Sequence, residues 1–397
     1  MRCPLGLAYP CHDLLHPTID VTLSNPTPQA MNLALNLAHQ ALWLTSPNPR
    51  VGCVITDADG NVLGQGHTQR AGGPHAEIMA LRDAAARGHS VQGATAWVTL
   101  EPCAHQGRTG PCCDALAAAG IGRVVAALTD PNPQVAGQGM ARLAAAGVQT
   151  HILDAQDDTA VQARELNIGF FSRMERGLPW VRMKVAASLD GQTALQNGKS
   201  QWITGPEARA DGHAWRARAC AILTGIGTVL EDDPQLNVRG VDTPRQPHLV
   251  VVDSRLDMPL NAKLMNTQGT GDQARQIWVY TATTENLDKR AALTKRGVTV
   301  IDMPGPGGKV DLAAMLRDLA RREINEMHVE AGHKLNGSFI REGLVDEFLV
   351  YLAPQLLGPG QGLANLPALT ELRGAVQLAF HAVDRIGPDL RLLLRRA

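Results

Sequence analysis

Three short motifs carry residue types that could do chemistry together. His75-Ala76-Glu77 opens a helical pattern, Pro102-Cys103 follows the end of a predicted strand, and Pro111-Cys112 opens the next helix. One imidazole and two thiolates give a zinc ion three ligands and leave its fourth tetrahedral position open, which is the mark of a catalytic rather than a structural site. A zinc held in this way brings the pKa of bound water close to neutral. Two of the ligands fall at helix starts, where the dipole and free N–H groups favour thiolate over thiol.

Two positions apart in a regular helix, His75 and Glu77 would point to nearly opposite sides. A shared site therefore requires His75 at the cap, where the backbone still turns, and Glu77 then suits proton transfer rather than ligation. This combination, with a non-ligating Glu as general acid/base, is the signature of zinc nucleobase deaminases. One departure is plain. The usual spacing is Pro-Cys-x-x-Cys, whereas eight residues, Ala-His-Gln-Gly-Arg-Thr-Gly-Pro, separate Cys103 from Cys112. Singly, a His-x-Glu pair is common on solvated helix starts and a cysteine pair is more often core than ligand; order and placement together specify the metal. Cys113 is a competing ligand, and Cys53, inside a strand pattern, reads as a packed core thiol.

The elements that must position these residues alternate. Thr27-Pro28 starts a helix whose Met31, Ala34, Leu35, Ala38 and Leu42 recur at helical spacing, ending before Ser46-Pro47-Asn48-Pro49. Strands are expected at 51–56, 61–66, 95–100 and 123–128, with helices at 75–87 and 111–119, then helix, strand and helix to about residue 173. A boundary falls in Met174–Trp180. Beyond it a strand starts at Val181, a hairpin turn is signalled at Ser188–Gly191, and further strands are expected at 221–224, 249–253, 277–281, 298–301, 327–330 and 347–353. Helices are expected at 206–218, 311–322 and 334–342. Both halves are thus α/β, divided as an extension (1–26), a first domain (27–174) and a second (175–397).

The bulk numbers limit the function classes. A chain of 397 residues fits two domains. With 44% apolar and 19% charged residues it is an ordinary globular composition. A net charge of −1 and 4% aromatics advertise neither a nucleic-acid nor an anionic-membrane partner. No apolar stretch approaches the roughly 20 residues of a membrane helix, and the N-terminus has no signal-peptide core. The seven cysteines are odd in number, which argues for a reducing cytoplasm and against a disulfide framework.

The runs Pro47-Asn48-Pro49-Arg50-Val51-Gly52-Cys53-Val54-Ile55, His75-Ala76-Glu77, Thr99 to Cys112 and Asp130-Pro131-Asn132-Pro133 closely resemble the bifunctional riboflavin-biosynthesis deaminase/reductase family, whose own cysteine spacing is the long one. Gly110 stands where a second proline is expected. The resemblance continues through Lys184–Gly191, Ser200–Thr204, Thr228–Arg239 and Val329–Gly332, covering about residues 30–395. Residues 1–26 lie outside it, and Met31 is a plausible alternative start. The resemblance implies a cytidine-deaminase-like α/β/α layered domain followed by a dihydrofolate-reductase-like α/β domain, with Zn2+ and NADPH as cofactors. It implies small pyrimidine ribose phosphates as substrates, and a homo-oligomer is expected.

By the same resemblance, His75, Cys103 and Cys112 hold zinc, Glu77 is catalytic, and Asn48 and Arg108 contact the first substrate. Ala186, Trp202, Thr228, Asp232, Ser254 and the run Gly332, His333, Lys334, Leu335, Asn336, Gly337 and Ser338 become cofactor contacts. Lys184, Ser200, Arg216, Leu236, Arg239 and Glu330 become contacts of the second substrate. Read without the resemblance, a strand, a glycine turn and a helix N-terminus at 327–341 make an anion site suited to a pyrophosphate. There is no Gly-x-Gly-x-x-Gly, so no Rossmann domain is suggested. Lys184, Arg216 and Arg239 are sensible partners for a sugar phosphate. Two other readings stay open here: a nucleic-acid base deaminase, and a zinc-stabilised binding protein without catalysis.

Overall fold

The computed structural model describes residues 26–104, 110–133, 135–267 and 274–397. The extension expected over 1–26 lies outside them but for Pro26, which opens helix α1 (Pro26–Gln40). Its Met31, Ala34, Leu35 and Ala38 are buried, as the helical spacing requires.

The first sheet contains β1 (Gly52–Thr56), β2 (Val62–His67), β3 (Thr95–Val98), β4 (Arg123–Ala126) and β5 (Gln149–Ile152), in the order β2-β1-β3-β4-β5. β1 runs antiparallel to both neighbours, and β3, β4 and β5 are parallel. Between the strands come α2 (Ala76–Ala86), α3 (Cys112–Ala118) and α4 (Gln138–Ala145), and after them α5 (Asp158–Leu166) and α6 (Ile168–Arg176). One apolar core joins them, from Met31 through Val54, Val98 and Val125 to Phe171. Gly52 allows α1 to lie directly on β1, since a Cβ there would sit 1.8 Å from the Ala34 carbonyl oxygen.

The second sheet is larger. Its strands are β6 (Trp180–Ser188), β8 (Ala221–Gly225), β9 (His248–Val252), β10 (Ile277–Thr281), β11 (Val298–Asp302), β12 (Glu326–Val329), β13 (Glu347–Ala353), β15 (Leu378–Ile386) and β16 (Asp389–Arg396). β7 (Gln192–Leu195) and β14 (Gly360–Gly362) form a separate pair. The nine-stranded order is β11-β10-β9-β8-β12-β6-β13-β16-β15, parallel from β11 to β13 and antiparallel beyond. Helices α7 (Pro206–Arg218), α8 (Ile226–Asp232), α9 (Leu287–Lys295), α10 (Leu312–Arg321) and α11 (His333–Arg341) connect the strands.

The hairpin expected at Ser188–Gly191 forms only its turn. The strand leaving it pairs with β14, not β6. The cause is Asp190, whose carboxylate accepts the backbone N–H groups of Leu357 and Gly358 and so ties the turn to the segment before β14.

Buried charge joins the two sheets. Arg50, beside β1, donates to Glu326 at the head of β12 at 2.6 Å and to the Leu42 and Leu166 carbonyls. Glu326 also accepts from Arg182 at 3.0 Å and Arg218 at 2.7 Å. Burial alone would raise its carboxyl, but Arg218, Arg50 and Arg182 outweigh that and hold it far below the usual carboxylate range.

Candidate active site

His75 is the N-cap of α2, with φ −78° and ψ 170°. This extended backbone lets its ring and Glu77, in the first turn, reach one place. Cys112 begins α3, and its backbone N–H points at the Cys103 sulfur at 3.4 Å. The loop carrying Cys103 is fixed from behind. The buried Glu101 carboxylate accepts four backbone N–H groups, from Asp130, Gly137, Gly139 and Met140. Gly139 is needed there, because a Cβ would stand 1.9 Å from the Pro102 carbonyl oxygen.

The donor atoms of His75, Cys103 and Cys112 lie within 4.8 Å of one another. His75 Nδ1 is 3.6 Å from Cys103 Sγ and 3.4 Å from Cys112 Sγ. Tetrahedral zinc bonds to N and S put such atoms about 3.5–3.8 Å apart, so the spacing fits that ion. The protonation of the set fits as well. Cys103 is pulled down to about 4, chiefly by its hydrogen bond with Cys112, while the same contact and burial push Cys112 up. The protein alone leaves the two thiols competing for one proton, and a divalent cation removes the conflict because both ligate as thiolates. Cys113 turns away from this cluster, its sulfur 3.6 Å from Asp114 Oδ1, and burial pushes its thiol up to about 11.

Glu77 is buried beside the cluster, and burial pushes its carboxyl up to about 7. A cation at the triad opposes that rise. His75, Glu77 and Cys103 line a cavity of about 510 Å³, within the range of small-molecule sites. Asn48 lines it too, its N–H donating to the Thr45 carbonyl and its carbonyl accepting from the Thr45 hydroxyl. Arg108 lies outside the described residues.

The second constellation gathers at the C-terminal ends of parallel strands, where open α/β sheets bind ligands. Arg216 of α7 grips Glu330, just past β12, with two nitrogens, the second contact being 2.7 Å, and also donates to the Asn237 carbonyl at 3.0 Å. Glu330 is held well below its usual value: burial opposes, and Arg216 overrides it. Lys184 of β6 is half-buried; burial pulls its ammonium down while Glu330 pulls it up, and its Nζ lies 5.9 Å from the Tyr351 ring. Arg239 is exposed, donating to Asn237 Oδ1 at 2.5 Å. Its backbone N–H meets His213 Nδ1, and that imidazole is lowered to about 4 by burial, Arg216 and Arg239.

The remaining expected contacts divide. Gly332 caps α11, and Thr228 approaches it, 3.9 Å from where a Cβ would stand. Ala186 lies at the C-terminal end of β6, and Ser254, just past β9, accepts the Val310 N–H at 3.2 Å. Trp202 is exposed with Arg209 stacked on it at 4.6 Å, Asp232 is exposed, and Ser200 is half-buried. Two placements do not suit the expected roles. Leu236 is 4% exposed and packs in the core beneath β9, so its side chain is not available to a substrate. Asn336 and Gly337 face the Leu363–Asn365 segment: Asn336 donates to the Leu363 carbonyl, and a Cβ on Gly337 would stand 2.2 Å from that of Asn365. The side-chain positions of Asn336 and Gly337 are thus taken up by that segment, because successive helical residues point to different sides.

Comparison with known proteins decides the family. The cytidine and deoxycytidylate deaminase zinc-binding region matches residues 25–128, and the RibD C-terminal domain matches residues 179–392. Riboflavin biosynthesis protein RibD of Escherichia coli (strain K12) is 44% identical over 372 residues, spanning 92% of this chain and 98% of its own. The chain belongs to the RibD family. The RibD of Aquifex aeolicus (strain VF5) is 38% identical, over 92% of this chain and 97% of its own. Among solved structures, Acinetobacter baumannii RibD superposes with a TM-score of 0.84 at 39% identity, covering 94% of this chain and 99% of that one. Like other RibD proteins, the chain joins a zinc-dependent deaminase to an NADPH-dependent reductase in riboflavin biosynthesis. A nucleic-acid base deaminase does not account for the matched second half. No described helix is long and apolar enough to cross a membrane.

Sequence reasoning missed the residues that join the RibD halves at the first cavity. Glu323, Arg173 and Met174 line it. Asn325 lies behind, donating to the Pro47 carbonyl at 2.8 Å and accepting from Arg173 at 2.6 Å. No local pattern announces such contacts, since their partners are more than a hundred residues apart.

Proposed function

We propose that the first half hydrolyses the exocyclic amine of 2,5-diamino-6-ribosylamino-4(3H)-pyrimidinone 5′-phosphate. The second half then reduces the ribosyl group of 5-amino-6-(5-phosphoribosylamino)uracil to ribityl. The observation that carries this is the convergence of the His75, Cys103 and Cys112 donor atoms, with His75, Cys103 and Glu77 lining one cavity. The triad would hold zinc, which when bound would supply an activated water. Glu77, buried beside the metal ligands, would accept a proton from the attacking water and return it to the departing amino group, so that water is consumed and ammonia released. Asn48 orients the ring through its amide, and Arg108 is a candidate for the phosphate.

In the second half a bound NADPH would supply the hydride that reduces C1′ of the opened ribosyl group, with a proton taken from solvent. The backbone N–H groups of Gly332, His333 and Lys334, at the N-terminus of α11, would hold its pyrophosphate, with Thr228 alongside, while that of Leu335 is already given to the Gly332 carbonyl. Arg216, Arg239 and Lys184 hold the sugar phosphate, and Glu330 fixes the Arg216 fork. The chain divides at Gly177, where α6 ends, slightly beyond the 174/175 point expected from sequence. Exposed Leu372, Phe380 and Val383 on and before β15, at the sheet edge, favour a homo-oligomer. The described cysteines are free thiols, which suits the cytoplasm.

Incubating the purified zinc-loaded chain with the diaminopyrimidine phosphate tests the reading by product mass. Without NADPH the expected product has exchanged one NH for oxygen; with NADPH it has also gained two hydrogens. Unchanged starting material in both reactions would overturn the assignment.

A further inference from the structure

The cavity that holds the metal ligands is walled in part by α6 and by the segment leading into β12. Of the described residues lining it, Arg173 alone carries a permanent positive charge. Phe170, Arg173 and Met174 share one face of α6, so the charge is presented between two apolar neighbours. Its Nε donates to Asn325 Oδ1 at 2.6 Å. Asn325 is 6% exposed, and its other side-chain atom is committed to the Pro47 carbonyl. The Arg173 side-chain partner is thus a neutral amide that is itself fixed on both sides, which leaves the two Nη groups without a partner among the described residues.

The acids of the cavity do not neutralise it. Glu101 is consumed by four backbone N–H groups, and Asp130 accepts the Asn132 N–H. Glu323 attracts Arg173 electrostatically but forms no ion pair with it, and burial still holds the guanidinium below its usual value. A partly desolvated cation with unpaired donors is an anion site waiting for a ligand whose charge is mobile. The substrate proposed for the first half carries one such group, its phosphate.

We propose that Arg173 binds the phosphate of the first half's substrate and that Asn325, supplied by the second half, is the positioning residue that aims it. The inference rests on the proposed deamination of a ribosylated pyrimidine phosphate. It also gives the joining of the two halves a chemical reason: the reductase half completes the deaminase pocket.

The test compares ammonia release from the phosphorylated pyrimidine with release from its dephosphorylated nucleoside. In Arg173→Gln the ratio of the two kcat/KM values falls roughly 10- to 100-fold, mainly through KM, as expected for losing hydrogen bonds to a charged group. Inhibition by inorganic phosphate weakens in parallel, while zinc content stays at the wild-type value. Arg173→Lys recovers part of the ratio, and Asn325→Ala lowers it in the same direction by a smaller factor. A wild-type ratio in Arg173→Gln would overturn the proposal, as would a collapse confined to Arg108→Gln. Failure of the wild-type chain to deaminate either compound would overturn the reading of the first half, and this proposal with it.

Discussion

The metal triad spans residues 75–112 and is drawn from the ends of neighbouring elements of one sheet. The Lys184, Arg216, Arg239 and Glu330 constellation spans residues 184–330 and is drawn from a strand, a helix and two loops. The first site is organised by ligands that share a cation and by a loop packed on Gly139. The second is organised by ion pairs that exist in the protein alone. The difference teaches where each is vulnerable. The first should fail when its ion is lost and spare the second, whereas the second should fail when a charge fork is altered and spare the first.

The sharpest way to break this contrast is removal of a ligand. Cys103→Ala should lose zinc, read by metal analysis, and reduce ammonia release to background, while NADPH oxidation with the deaminated intermediate stays within about twofold of wild type. Parallel loss of both activities would merge the two sites into one. Next comes the charge that ties the halves. Glu326→Gln leaves Arg50 and Arg218 without their anion, beside Arg182, which keeps Glu347, and should cost about 3–5 kcal/mol of stability in denaturant unfolding. The sign in pH follows from its lowered carboxyl. The Glu326 contribution is fully present above the unfolded glutamate value of about 4.3 and is lost as pH falls through the folded one. The wild-type thermal midpoint should therefore drop more steeply below pH 4.3 than that of the variant.

A smaller effect is expected at the second site. Arg216→Lys keeps the charge but not the two-pronged grip on Glu330, and should lower NADPH oxidation roughly 10- to 100-fold with ammonia release untouched. The smallest concerns Cys113. Cys113→Ala should retain zinc and deamination and cost about 1 kcal/mol, because the buried thiol packs and meets only Asp114. Loss of zinc there would exchange the ligands assigned at 112 and 113.

How much of each region was legible follows the same division. The triad reads from sequence because each ligand sits at an element end marked by a neighbouring proline or a helix start. The parallel strands read from their apolar runs. β15 and β16 did not, because β16 turns Arg391 and Arg395 inward to Asp211, Glu347 and Glu165, and charges at buried positions break the alternation that signals a strand. Leu236, Asn336 and Gly337 show the limit of carrying contacts position by position: the motif is present, but the backbone turns these three side-chain positions inward. Asn325 and Arg173 were invisible for a third reason, since their roles exist only once the two halves are packed.

The central claim, that Glu77 moves protons at a zinc site whose chemistry does not depend on that of the reductase, is met most directly by Glu77→Gln assayed three ways. The account predicts unchanged zinc content, ammonia release lowered at least about 100-fold, and NADPH oxidation with the deaminated intermediate at the wild-type rate. Ammonia release at the wild-type rate with zinc bound would contradict it.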